Sequence, residues 1–196
     1  MSDKVYYPVF LDLTGKSCVI VGGGRVAERK CSSLIKAGAK VTVISPDITK
    51  RLAAYKKGGL IRHVHRDYKS TDIKSAFVVI AATNSEETNK KIAKDTSTSG
   101  KLLNVVDTPF LCNFIVPSVF KRGLLTIAIS TGGASPAMAK EIRKELQKLF
   151  GSEYSKYLKF SKDVRSRAMR DIPNKKERER FLKVLAASFF KKELLL

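Results

Sequence analysis

The chain has 196 residues, 43% of them hydrophobic, which is enough for one domain with appendages or for two small units. Lysine and arginine outnumber the acidic residues 38 to 18, giving a net charge of +20 and a pI of about 10.0. No apolar run reaches the ~18 residues of a membrane span, and there is no Arg-rich tail, zinc finger or aromatic–basic RNA motif.

Residues 17–107 alternate strand and helix patterns. Ser17–Val21 is a short apolar run that stops at Gly22-Gly23-Gly24 and passes directly into a helical pattern, Val26–Ala37, for which Gly38 fits the C-cap. Val41–Ile44 is a second strand, broken by Ser45-Pro46. A helix over Ile48–Lys57 ends at Gly58-Gly59, and Leu60–Val64 is a third strand. Phe77–Ala81, a fourth, is too apolar for a face in water. Ser85 caps a helix running to about Ser99, Gly100 closes it, and Leu102–Val106 is a fifth strand. This order predicts an α/β fold with a Rossmann-like parallel sheet covered on both faces, whose ligands sit beyond the C-terminal strand ends.

The pattern then changes. Phe114–Val119 and Leu124–Ile129 read as two strands about a turn at Lys121-Arg122-Gly123. Ser135 is the predicted N-cap, and Pro136 the first position, of a helix from Ala137 to about Phe150 with Met138, Ile142, Leu146 and Leu149 on one stripe. Two further helices follow, over 153–170 and 175–193, broken near Pro173.

Cys18, Cys31 and Cys112 are odd in number and lack Cys-x-x-Cys spacing, which suits packing roles in a reducing cytosol. Met1-Ser2-Asp3-Lys4 lacks the layout of a signal peptide, so a cytoplasmic protein is expected, with no membrane partner. The basic excess is spread along the chain; residues 151–196 carry a net +7. Composition alone leaves three readings open: nucleic acid, a solvated basic surface, or a multiply anionic small substrate.

Gly22, Gly24 and Ala27 form the G-x-G-x-x-(G/A) dinucleotide fingerprint. Gly22 permits the sharp turn, Gly24 lets a pyrophosphate approach the backbone, and free N–H groups at the helix start can hold phosphate oxygens. The second strand ends in Ser45-Pro46-Asp47, where Asp47 can bind ribose hydroxyls or cap the next helix. A carboxylate there, with no arginine at the strand tip, favours NAD. At the fourth strand tip, Thr83 or Asn84 can bond the cofactor or serve a capping turn. At the fifth, Asn104-Val105-Val106-Asp107 presents a carboxylate where a general base is wanted, although Asp107 before Thr108-Pro109 also reads as a turn residue. His63 and His65 fall on one side of a strand with no nearby Cys, Asp or Glu to complete a ligand set, so no metal site is predicted. The Gly132–Pro136 turn is a second helix start able to take a carboxylate or phosphate, or to act as a simple cap.

Tyr7–Leu13, Val21–Lys30, Ala81–Asn84, Asn104–Asp107 and Ile129–Pro136 together, in this order, resemble the precorrin-2 dehydrogenase family. That family includes the N-terminal module of sirohaem synthase and the bifunctional dehydrogenase/ferrochelatases. The resemblance covers roughly residues 5–150. It implies NAD-dependent oxidation of precorrin-2 to sirohydrochlorin, which some members follow with insertion of Fe²⁺. It implies an NAD-binding Rossmann domain over 1–113, a strand–helix dimerisation segment over 114–150, a small helical C-terminal domain over 151–196, and a homodimer. Asp107 matches the family's key carboxylate. Arg25, Val26, Pro46 and Asp47 match its NAD contacts, with Gly22, Gly24, Ser45, Thr83, Asn84 and Val105 completing the expected cofactor site. Asn104, Thr131, Gly132, Gly133 and Ser135 are the expected substrate contacts. Thr131 stands where some sirohaem synthases carry serine, so the hydroxyl is retained. The anionic tetrapyrrole so implied gives the basic charge a partner without nucleic acid. A non-catalytic NAD-sensing module is the alternative that the glycine turn alone would allow.

Overall fold

The structure, a computed structural model, describes residues 4–194. By contacts the chain divides into two compact units, the first ending at Val116 and the second beginning at Pro117.

The first unit is built on a five-stranded parallel sheet. Its strands are β1 (Ser17–Val21), β2 (Lys40–Ile44), β3 (Ile61–Val64), β4 (Val78–Ala81) and β5 (Leu102–Val105), in the order β3-β2-β1-β4-β5. The chain leaves β1 toward β2 and β3, then returns to its other side for β4 and β5. The order therefore reverses at β1, and the loops after β1 and β4 diverge there to open a crevice. Helices α1 (Arg25–Lys36), α2 (Lys50–Lys57) and α3 (Glu86–Ser97) make the β1–β2, β2–β3 and β4–β5 crossovers.

Alternation sorts the strand residues onto two faces. Cys18, Ile20, Val41, Val43, Val78 and Ile80 pack with Ala27, Cys31 and Leu34 of α1 and Leu52 of α2. Val19, Val21, Ile44, Val79, Ala81, Leu103 and Val105 pack with Ile92 of α3 and with Ile73 of a short 3₁₀ turn. All four residues of β4 are buried, as a central parallel strand requires. Each buried branched aliphatic side chain here contributes about 1.5–3 kcal/mol. Cys18, Cys31 and Cys112 are free and buried, and desolvation pushes the Cys18 and Cys31 thiols up to about 11.

The second unit starts with an antiparallel hairpin, β6 (Ser118–Arg122) and β7 (Leu125–Ile129), in register Ser118↔Ile129 to Arg122↔Leu125. The first strand thus begins four residues later than the sequence pattern predicts, and Lys121 and Arg122 belong to it rather than to the turn. Two interactions explain the shift. Asn113 and Phe114 are held at the edge of β5: Leu103 N–H donates to Asn113 Oδ1 at 2.7 Å, and Asn104 Nδ2 donates to Phe114 O at 3.2 Å. Pro117 then has no N–H to give a ladder. Helices α4 (Pro136–Leu149), α5 (Ser152–Asp171) and α6 (Lys175–Leu194) follow. The core of this unit is aromatic. Phe120 lies 6.4 Å from Phe150, Phe150 lies 4.8 Å from Tyr154, and Tyr157 stacks on Phe189 at 3.8 Å. On α4, Ala139 turns inward, whereas Met138, Ile142 and Leu149 are exposed.

Candidate functional site

The loops that leave β1, β2 and β4 line a cavity of about 720 Å³ beyond the C-terminal strand ends. Its floor is the Gly22–Gly24 turn. Gly22 has φ +116°, and a Cβ there would drive into the carbonyl of Ala82. A Cβ on Gly23 would strike the carbonyl oxygen of Asp47 and come within 2.8 Å of Ser45 Oγ. The fold itself therefore demands glycine at both positions. Gly24 is different: nothing lies within 4 Å of its notional Cβ, and its φ of −79° suits any residue. It is the N-cap of α1 yet provides no side-chain cap. The first amide of that helix to find a partner is Glu28 N–H, which donates to Gly24 O at 2.9 Å. The N–H groups of Arg25, Val26 and Ala27 have no acceptor among the described residues, at the positive end of a helix dipole.

At the tip of β2, Ser45, Pro46 and Asp47 line the cavity. The cap of α2 is Thr49, whose Oγ1 accepts from Leu52 N–H at 3.3 Å and donates to Glu28 Oε2 at 2.6 Å. Asp47 is thus relieved of the capping role that the sequence left open. At the tip of β4 the Thr83 hydroxyl serves its own turn. It accepts from Ser85 N–H at 3.2 Å and lies 2.9 Å from Asn89 Oδ1, while Asn84 stands exposed on the cavity lining. Ser85 caps α3 as predicted, accepting from Thr88 N–H at 3.1 Å.

The tip of β5 holds the other candidates. Val105 is 2% exposed, and its N–H donates to Cys112 Sγ at 3.1 Å. Asp107 is exposed, with φ +58°, the one non-glycine residue in the left-handed region among those described. Aspartate tolerates that region better than most residues, and such conformations gather at functional sites. Asn104 is 8% exposed with its amide fixed from both ends. Nδ2 donates to Phe114 O and lies 3.6 Å from Cys112 Sγ, and Oδ1 accepts from Lys30 Nζ at 3.5 Å.

Of the expected cofactor residues, Gly22, Gly24, Ser45, Pro46, Asp47, Thr83 and Asn84 meet around one cavity. Arg25 and Val26 open α1 beside it, and Val105 is buried away from its lining. Thr131, Gly132, Gly133 and Ser135 belong to the second unit. There Ser135 Oγ accepts from Met138 N–H at 3.2 Å and Thr131 Oγ1 accepts from Ser135 N–H at 3.1 Å. His63 is half-buried, its Nε2 2.9 Å from Ser45 O, and His65 is exposed. Among the described residues no three His, Cys, Asp or Glu side chains gather as a metal site.

Sequence reasoning missed Asp67, Tyr68 and Lys91 on the cavity lining, and Lys30 beneath Asn104. Tyr68 is joined to α3 by its hydroxyl, which donates to Asp95 Oδ2 at 2.8 Å, a tertiary link with no local signal. Lys30 does carry one. It precedes Cys31 and lies three residues after Ala27, so it flanks the buried stripe of α1.

Comparison with known proteins agrees with this fold. Residues 9–118 match the family model described as "Putative NAD(P)-binding", and residues 122–149 match "Sirohaem biosynthesis protein central". The siroheme synthase of Nitrosococcus oceani is 38% identical over 184 residues, 93% of this chain and 39% of that protein. That of Thioalkalivibrio sulfidiphilus is 38% identical over 176 residues, 90% of this chain and 36% of that protein. The chain thus spans less than two fifths of the length of these curated relatives. The solved structure of SirC, a precorrin-2 dehydrogenase, superposes with a TM-score of 0.80 at 28% identity, covering 97% of this chain and 100% of SirC.

Proposed function

Because this chain belongs to the precorrin-2 dehydrogenase family of NAD(P)-binding proteins, we propose that it oxidises precorrin-2 to sirohydrochlorin with NAD as hydride acceptor. The observation that carries the proposal is the pairing of a glycine-floored cavity with the Asp107 carboxylate, set in a left-handed turn at the end of the neighbouring strand.

The residues present fit a dinucleotide. Gly24 leaves room for a pyrophosphate, and the unpartnered amides of Arg25, Val26 and Ala27 would hold it. Asp47, free of capping, would bond the ribose hydroxyls and repel a 2′-phosphate, which supports NAD over NADP. Asn84 would reach the cofactor from the β4 tip. When bound, NAD supplies the hydride chemistry, and the chain supplies position, charge and a proton acceptor. In this reading Asp107 accepts the proton released as the substrate is oxidised. The net charge of +20 draws in a polycarboxylate, an attraction that salt would weaken.

The proposal extends to the remaining expectations. The Thr131 and Ser135 hydroxyls only accept within their own turn, so their O–H groups, together with the Gly133 amide, which has no acceptor among the described residues, would donate to a substrate carboxylate. Homodimerisation would cover the exposed Met138, Ile142 and Leu149 of α4 together with Val119 and Leu124. Three buried free thiols suit the cytoplasm.

The test is to supply precorrin-2 and NAD⁺ and to follow NADH and sirohydrochlorin together. Turnover is expected. NAD binding without turnover by folded protein would instead favour the non-catalytic sensing module. Adding Fe²⁺, as a second substrate, to the sirohydrochlorin formed reads out metal insertion. Asp107→Asn keeps the left-handed turn and removes the base, so kcat is expected to fall about 10²–10⁴-fold with NAD affinity unchanged. Undiminished kcat would remove Asp107 from the mechanism.

A further inference from the structure

Thirty-eight basic residues crowd this chain, and most of those on its helices extend into water. Lys30 does not. The face of α1 that carries Ala27, Cys31 and Leu34 is buried on the sheet, and Lys30, at the margin of that face, is half-buried and runs toward β5. Its Nζ reaches Asn104 Oδ1 at 3.5 Å. Among the described residues it makes no ion pair and has no second acceptor, although an ammonium carries three donors.

Burial works against the charge. Desolvation is the largest influence on Lys30 and lowers its pKa, Arg29 adds to that, and Cys112 and Asp107 act in the opposite sense. A methionine or leucine would fill the same margin without this penalty. The side chain that receives the ammonium is itself locked. Asn104 is 8% exposed, and its Nδ2 is held by Phe114 O at 3.2 Å, which turns Oδ1 toward the lysine. The chain therefore holds a cation at the foot of the β5 tip, within electrostatic reach of Asp107.

We propose that the Lys30 ammonium, positioned by Asn104, binds one carboxylate of the tetrapyrrole substrate and so seats the reacting carbon beside Asp107. This rests on the functional reading above and deepens it. Lys30 is a substrate-binding residue and Asn104 a positioning residue, whose amide reaches the substrate through the lysine.

The experiment compares the full-length wild-type chain with Lys30→Gln, Lys30→Arg and Asn104→Ala, using precorrin-2 and NAD⁺. Loss of a charge-assisted contact is expected to raise the KM for precorrin-2 about 10-fold or more in Lys30→Gln, with the KM for NAD⁺ unchanged. Lys30→Arg restores most of the loss. Asn104→Ala raises the same KM less, and the salt dependence of KM weakens in Lys30→Gln. Should Gln disturb folding, Lys30→Met keeps the apolar stem and is expected to show the same KM. A wild-type KM in folded Lys30→Gln or Lys30→Met, or an Arg variant as impaired as the Gln variant, overturns the assignment and leaves the functional reading standing. A wild-type chain that oxidises no precorrin-2 overturns both.

Discussion

Gly22-Gly23-Gly24 leads into α1, and Thr131-Gly132-Gly133-Ala134-Ser135 leads into α4, so the chain opens two helices from glycine turns and handles their free amides in opposite ways. In the first turn Gly22 and Gly23 are pressed against neighbouring backbone, while Gly24 stands in open space and the first N–H groups of α1 have no acceptor among the described residues. In the second, Gly132 and Gly133 have φ of +62° and +92° with nothing near them. The turn bonds to itself. Gly132 N–H donates to Ser130 Oγ at 3.1 Å, Ala134 N–H to Thr131 O at 3.0 Å, Ser135 N–H to Thr131 Oγ1, and Met138 N–H to Ser135 Oγ. Two turns that look alike in sequence thus differ in donor accounting. One leaves its helix amides without an acceptor among the described residues, and the other satisfies nearly all of its own.

The largest effect that separates them is expected at Gly23. A methyl group there meets the backbone of Asp47, which cannot swing aside as a side-chain tip can. Gly23→Ala should destabilise the chain by about 3 kcal/mol, the upper range for overpacking, and abolish NAD binding, as thermal unfolding and fluorescence titration would show. Gly132→Ala meets no such obstruction and should cost only the left-handed penalty of about 1–2 kcal/mol. Equal losses at the two positions would erase the distinction.

Gly24→Ser comes next and is more selective. Serine at this N-cap would bond the free amides of α1 much as Ser135 does for α4, so stability without cofactor should shift by only a few tenths of a kcal/mol. The same hydroxyl would stand where a pyrophosphate must approach, and the Kd for NAD is expected to rise about 10-fold, the worth of one charge-assisted contact. An unchanged Kd would mean that the helix start does not hold the phosphates.

Much of the fold around the two turns is legible in the sequence. The apolar runs of β1 and β4, the Ser85 and Ser135 caps and Pro136 at the first position of α4 were readable because each is a local signal. The two turns were not distinguishable, because what fills the space behind a glycine is a matter of tertiary packing: Asp47 and Ala82 lie in the loops after β2 and β4. The same reason hid Tyr68 and Lys91 in the cavity lining and set β6 four residues later than its apolar pattern, since Asn113 and Phe114 answer to β5. Asp107 was visible as a carboxylate at a strand end, but its left-handed backbone was not. That backbone gives a way to separate conformation from chemistry there. Asn and Gly both suit φ +58° and both lack the carboxylate, so both should lose turnover without losing stability, whereas alanine loses about 1 kcal/mol besides.

The smallest effect tests the self-satisfied turn. Ser135→Ala removes the acceptor of Met138 N–H and should lower stability by about 1 kcal/mol, whereas Ser135→Gly, which lets water reach the same amide, should lower it by only a few tenths. Both should raise the KM for precorrin-2 alike, because in the cap the hydroxyl only accepts and its O–H stays free to donate to a substrate carboxylate. The order of the two variants is the discriminating result. A role as a cap alone makes alanine worse than glycine on stability and both silent on KM. A hydroxyl that touched substrate would raise KM equally in both, whatever their stability, and the second glycine turn would then be doing the same work as the first.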